Sequence, residues 1–298
     1  MRLLITGGSG LVGWDLVQRA RAAGHEVTYT YHETDRERDA ESGVTALALD
    51  VRDADRVDAV VQCSDPDAVV HAAAMTDVDE CERSLDRAQA VNVDGTRHVA
   101  AAADDADAHL LFFSTGFVFD GDGETFTEAD PRSAVNHYGQ TKIDAEDVVA
   151  GSPVDATVCR IDQPYCWPMP WQTKPFVSWV LERCEGETPF PVFTDWYNTP
   201  VYVPDCNEAV LELLETRTTG TYHVCGPEYV DRYTWARSIA KRFGYDPGLV
   251  ERSQSAEAGL PARRPNNHLC NVAVRRATDA SFRSIDAALN RMADRRRD

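Results

Sequence analysis

The chain has 298 residues, long for one domain, and 43% are hydrophobic, so one large α/β unit with a second lobe is expected. A formal net charge of −19 argues against nucleic acid and anionic membrane as partners. Only three lysines (Lys142, Lys174, Lys241) accompany 49 acids, so the charge reads as the solvated, acid-rich surface of a salt-loving organism's cytosolic protein. Eight scattered cysteines form no Cys-x-x-Cys and no zinc spacing. They read as small buried apolar groups in a reducing compartment. No apolar run can cross a bilayer, and a strand begins at once with no signal peptide, so a soluble cytoplasmic protein is expected.

Leu3-Leu4-Ile5 reads as a buried strand. Thr6-Gly7-Gly8-Ser9-Gly10-Leu11-Val12-Gly13 follows, then a helix carrying Leu16, Val17 and Ala20 inward and ending near Gly24. Strand, glycine-rich turn and helix form the context of a dinucleotide site. Gly7 permits the tight turn, Gly10 the approach of a pyrophosphate, and Gly13 close helix packing. The helix N-terminus supplies N–H donors to phosphate. Val27–Tyr31 is the second strand. An NAD site usually places an acid at its end; here Tyr31 and His32 stand there, followed by Arg36 and Arg38. This leans toward NADP, although the arginines share their loop with four acids and could equally be solvated charges.

Val44–Leu49 is a third strand, leading to Asp50-Val51, and Asp53–Cys63 a helix. Ala68–His71 is a fourth strand, running into Ala72-Ala73-Ala74, where small side chains let a ligand approach the backbone. Leu85–Ala103 has helical spacing and contains Asn92; Leu110–Ser114 is a fifth strand entering Thr115-Gly116-Phe117. Alternation on this scale predicts a doubly wound parallel sheet, with ligands at the carboxyl ends of its strands. A sixth strand, Ala156–Arg160, precedes an irregular stretch rich in proline and aromatics over the cleft, Pro164 to Pro175. Helices at Phe176–Cys184, up to Leu214, at Tyr233–Phe243 and near Ile285–Met292, and a strand at Tyr222–Val224, make up the rest. The expected division is a dinucleotide-binding domain over 1–163, with part of 195–225 returning to it, and a smaller α/β lobe over 164–298 that binds substrate.

Tyr138-Gly139-Gln140-Thr141-Lys142 is the stretch around which the chemistry is organised. Tyr138 and Lys142, four apart, share a helix face. An ammonium beside a phenol favours the phenolate and lowers its pKa, and a tyrosine so tuned can exchange a proton with a substrate oxygen. Alone, the pattern equally fits a surface helix. Its place in the fold, and the retention of a lysine in a chain that uses arginine nearly everywhere, favour chemistry.

Gly7-x-x-Gly10-x-x-Gly13, Ala72-Ala73-Ala74, Asn92 and Tyr138-x-x-x-Lys142 together resemble the extended short-chain dehydrogenase/reductase family, over essentially the whole chain. The resemblance implies a Rossmann domain. It places NADP or NAD, NADP slightly favoured, on Gly7, Ser9, Gly10, Leu11, Val12, Gly13, Tyr31, Asp50, Val51, Ala72, Ala73, Ala74, Asn92 and Tyr138, with Lys142 on the nicotinamide ribose. Tyr138 would be the acid/base, and Thr115 would hold the substrate carbonyl. Within that family the chain is most similar to the dTDP-4-dehydrorhamnose reductases and their non-catalytic relatives. Ser114–Gly121, Gly220-Thr221-Tyr222-His223 and Arg264-Pro265-Asn266-Asn267-His268-Leu269 carry this likeness. It implies a nucleotide-sugar substrate meeting Thr76, Thr115, Gly116 and Gln163, with its C4 ketone reduced. It is compatible with a homodimer. No metal ligands are evident, though a Mg²⁺ held partly by water would leave little trace.

Two departures bear on substrate. Gly116-Phe117 stands where the reductases have Asp-Tyr, and Arg160-Ile161-Asp162-Gln163 lacks their sugar-packing tryptophan, for which Trp167 or Trp171 could substitute. Gly116-Phe117 also argues against a 4,6-dehydratase, which needs an Asp-Glu pair there. An NAD-retaining epimerase and a non-catalytic NADP-binding subunit are the alternatives.

Overall fold

The computed structural model of the chain describes residues 1–32 and 44–295. In chain order its elements are β1 (Arg2–Thr6), α1 (Leu11–Ala22), β2 (Glu26–Tyr31), β3 (Val44–Ala48), α2 (Ala54–Ser64), β4 (Ala68–His71), α3 (Val78–Arg83), α4 (Leu85–Gln89), α5 (Gly95–Asp105), β5 (His109–Thr115), α6 (His137–Ala150) and β6 (Ala156–Ile161). Then follow α7 (Phe176–Glu185), β7 (Phe190–Phe193), β8 (Tyr197–Asn198), α8 (Val203–Glu215), β9 (Gly220–Val224), β10 (Val230–Asp231), α9 (Arg232–Arg242), β11 (Val250–Ser253), α10 (Val272–Ala277) and α11 (Ile285–Arg295).

Seven strands form one parallel sheet in the order β3-β2-β1-β4-β5-β6-β9. The order reverses between β1 and β4, and a crevice must open outside the carboxyl ends of those two strands. Both faces are covered. Leu16, Val17, Ala20, Val210, Leu213 and Leu214 pack on one side with Ile5 and Leu111. Val57, Val60, Val99, Ala103, Ala145 and Val149 pack on the other with Leu4, Val69 and Phe112. Burial on both faces is why β1, β4 and β5 read as continuous apolar runs, whereas the edge strand β3 is mostly exposed.

A further core lies outside the sheet, where Val177, Val180 and Leu181 of α7 meet Trp235, Ala236 and Ile239 of α9 and Ala288, Leu289 and Met292 of α11. Two small sheets, β8 with β10 and β7 with β11, border it. The chain crosses back: α8 packs beneath the sheet against α1, and β9 adds its seventh strand.

The helix expected over 85–103 is instead α4, a π-helical turn at Ala90–Asp94, and α5. The wider turn carries Asn92, whose amide is spent on tertiary bonds described below; such turns favour functional regions. α3 and the short strands β7, β8, β10 and β11 have too few residues to show a period. Six cysteines are buried, Cys63 is exposed and Cys270 half-buried, all as free thiols. Among the described residues no helix is long and apolar enough to cross a membrane.

Candidate functional site

The glycine turn leaves β1 with Gly7 at φ +67°, a conformation glycine adopts without strain. A Cβ on Gly7 would lie 2.7 Å from the Ala73 backbone, so turn and β4 loop touch directly. A Cβ on Gly13 would lie 2.5 Å from the Gly7 carbonyl oxygen. Gly13→Val is therefore expected to displace the turn from α1, costing about 1–3 kcal/mol by overpacking and weakening NADPH binding at least tenfold. Calorimetric titration with NADPH and a urea melt would check both.

Gly7, Ser9, Gly10, Asp50, Val51, Ala72, Ala73 and Ala74 all line one cleft of about 300 Å³, joined by His32, Leu49, Arg52, Met75, Arg87 and Val91. This cradle sits at the β1/β4 crevice and is walled by backbone and small residues, so a dinucleotide fits it. Arg52 Nη2 pairs with Asp50 at 2.6 Å, and His32 Nε2 lies 3.3 Å from the same carboxylate. The Arg52 hydrogen bonds hold the Asp50 carboxyl well below the usual carboxylate range. Arg36 and Arg38, on which the leaning toward NADP rested, lie outside the described residues; Arg52 and Arg87 are the described cations of the cleft.

Other cofactor candidates are placed differently. Leu11 and Val12 open α1, but their side chains pack toward the outer core, and Tyr31 packs on the sheet core. Asn92 is buried and fully engaged: it accepts from Met75 N at 2.8 Å and donates to Met75 O at 3.1 Å and Thr141 Oγ1 at 3.0 Å. It braces the β4 loop against α6, which carries Tyr138.

Tyr138, Thr115 and Lys142 are brought together. Asn136 caps α6, accepting from Gly139 N at 2.8 Å, and this sets the helix start one residue before Tyr138. The Tyr138 ring packs edge-on against Phe117, 5.6 Å between centroids. Burial pushes the Tyr138 phenol up, while a hydrogen bond with the Thr115 hydroxyl pulls it down. This corrects the expectation that Lys142 lowers Tyr138. Lys142 Nζ instead donates to the Phe113 carbonyl at 2.7 Å and sits 3.9 Å over the Phe112 ring. Burial depresses its own pKa to about 7, against a raising pull from Glu146.

Glu146, one turn beyond Lys142 on α6, anchors a buried network. It accepts from Ser114 Oγ at 2.5 Å, from Arg160 Nε at 2.9 Å and Nη2 at 2.8 Å, and from Arg132 Nη1 at 3.1 Å. The bonds fix Ser114, and hence its neighbour Thr115, against α6.

Of the substrate candidates, Thr115 is at the centre. Gly116 is buried against Asn267, whose side-chain carbon a Cβ would meet at 3.1 Å. Gln163 is half-buried in a left-handed conformation at φ +39°, and Thr76 is exposed beyond Met75. Neither Trp167 nor Trp171 replaces the absent sugar-packing tryptophan. Trp167 donates to Met292 O at 2.8 Å and packs on Phe243. Trp171 packs on Trp14 and, with Gln172, donates to Ser9 O, at 3.2 and 3.0 Å. The proline-rich stretch thus straps the glycine turn.

Sequence reading passed over Glu146, Asp162 and Arg232, since nothing local marks them. Asp162 is fully buried and receives Thr199 N at 2.7 Å, Asn198 Nδ2 at 3.3 Å and Asn267 Nδ2 at 3.4 Å. Burial raises its pKa to about 6 despite those donors. It knots the end of β6 to β8 and the 267 segment behind Gly116. Among the described residues no three His, Cys, Asp or Glu converge as a metal site.

The family model described as RmlD substrate binding domain matches residues 1–297. A probable low-salt glycan biosynthesis reductase of Haloferax volcanii is 31% identical, covering 91% of this chain and 90% of that protein. A dTDP-4-dehydrorhamnose reductase of Mycolicibacterium smegmatis is 31% identical, covering 89% and 76%. Among solved structures, a dTDP-4-dehydrorhamnose reductase of Bacillus anthracis in complex with NADP superposes with a TM-score of 0.85 at 25% identity, covering 99% of each chain.

Proposed function

The chain belongs to the RmlD substrate binding domain family, and on that premise we propose that it reduces the C4 keto group of a nucleotide-linked 6-deoxyhexose, as in dTDP-L-rhamnose formation. It is an NAD(P)-dependent oxidoreductase of the extended short-chain dehydrogenase type. The observation that carries the proposal is the convergence of the Thr115 and Tyr138 hydroxyls, with Tyr138 in a cluster packed by Met75 of the glycine-lined cleft. NADPH or NADH bound there supplies a hydride. Thr115 Oγ1 orients the ketone, and Tyr138 gives its phenolic proton to the oxygen as negative charge develops. A phenol kept protonated by burial suits a reduction, because the acid must hold its proton until the more basic alkoxide forms. Lys142, whose Nζ donates to the Phe113 carbonyl at 2.7 Å, is proposed to hold the nicotinamide ribose rather than to tune Tyr138. Lobe 164–298 is proposed to hold the sugar nucleotide.

The test follows NADPH, then NADH, by absorbance in high-potassium buffer with dTDP-4-dehydro-6-deoxy-L-mannose. Rapid oxidation supports the proposal. Tight NADPH binding without oxidation, plus co-purification with an enzyme, would replace it with the non-catalytic subunit reading.

A further inference from the structure

Arg232 opens α9 and is only 4% exposed. Its guanidinium carbon lies 4.1 Å from the ring centre of Trp196, 4.4 Å from Phe176 and 5.4 Å from Trp235. Among the described residues that guanidinium makes no ion pair and no hydrogen bond, and its Nε is sealed from solvent without a partner. Burial lowers its pKa to about 9, against a raising pull from Asp162 and a lowering push from Arg264, so it is cationic at neutral pH. Asp162 acts through space only, its carboxylate already spent on Thr199, Asn198 and Asn267. A second guanidinium, Arg264, shares the Trp196 face at 5.7 Å but is answered by Asp79 at 2.8 Å.

A buried, unanswered cation is costly, and ring faces offset only part of that cost. The indole N–H groups of Trp196 and Trp235 are likewise buried without acceptors. All three unanswered groups are donors. Trp196 also packs on the cluster of Phe117, Tyr138 and Cys81, which sets the cage next to Tyr138. Buried donors without acceptors, gathered with a cationic fork, are the groups an oxyanion would satisfy.

We propose that Arg232, caged by Phe176, Trp196 and Trp235, is a specificity-determining residue that binds an oxyanion of the substrate, the glycosyl phosphate. The assignment rests on the nucleotide-sugar reading above. Arg232→Met keeps an unbranched apolar chain in the cage and removes the fork; Arg232→Lys keeps the charge alone. Calorimetric titration of wild type and both variants would use dTDP, dTDP-L-rhamnose and NADPH.

A glycosyl-phosphate role weakens dTDP and dTDP-L-rhamnose about tenfold or more in Arg232→Met, with partial recovery in Arg232→Lys and NADPH binding unchanged. Affinities within about twofold of wild type for every sugar nucleotide, or a parallel loss of NADPH affinity, overturn the assignment. If Arg232→Met does not fold, the same comparison on Arg232→Lys decides, because an ammonium cannot reproduce the bidentate fork. Absent turnover in wild type with intact dTDP binding would sink the reductase reading alone; a wild-type KM in an active Arg232→Met would sink this one alone.

Discussion

Tyr138→Phe is expected to lower kcat by about 10² to 10⁴-fold, the usual contribution of a positioned general acid, while leaving NADPH affinity within about twofold. The substitution removes one oxygen and keeps the ring, so the edge contact with Phe117 survives and Tyr138's place in its cluster is unchanged. What is lost is the hydroxyl that faces Thr115. The cofactor cleft is lined by other residues, which is why binding and turnover should separate. Stopped-flow oxidation of NADPH, paired with titration of the same variant, measures both. Near-normal turnover would remove Tyr138 from the acid role.

Glu146→Ala is expected to destabilise the fold by about 3–5 kcal/mol, because it strands a buried arginine. Arg160 is 4% exposed and makes two hydrogen bonds to Glu146; its other contacts are His223 Nε2 at 3.4 Å and the Glu128 carbonyl at 3.5 Å, neither of them a carboxylate. The double variant Glu146→Ala/Arg160→Met should recover much of the loss, since removing both charges removes the stranded one. Urea unfolding of the four proteins in the cycle is the measurement. Additive losses would mean that the two side chains do not depend on one another. The Arg160 bonds, the Arg132 charge and the Ser114 bond hold the Glu146 carboxyl below its ordinary 4.5 although burial opposes them. Its folded pKa is thus depressed, and the stability it contributes is present above about pH 4.5 and lost as pH falls.

The cofactor half was legible because local chemistry demands it. Gly7 must take a positive φ, Gly13 has no room for a Cβ, and both requirements show as glycines at fixed spacing in the chain. Strands β1, β4 and β5 were legible because burial on both faces leaves apolar blocks. Tyr138 and Lys142 could be paired by helical period alone.

What the amino-acid order could not show depends on neighbours distant in sequence. The direction of the Tyr138 shift depends on burial and on Lys142 turning toward Phe113, 29 residues away. Asn92 was readable as a motif residue, but its amide is claimed by Met75 and Thr141. Gly116 was readable as the absence of an acid; only the packing of Asn267 shows that a side chain there would have to displace it. Arg232 looked like one more arginine in a charged chain until Phe176, Trp196 and Trp235 closed around it. Backbone conformation and strand burial are local demands that leave a pattern in the residues themselves, so the sequence by itself determined the doubly wound fold and the shared helix face of Tyr138 and Lys142. Protonation, the fate of an amide and the isolation of a charge are set by which groups arrive from elsewhere, and only the tertiary structure decided those.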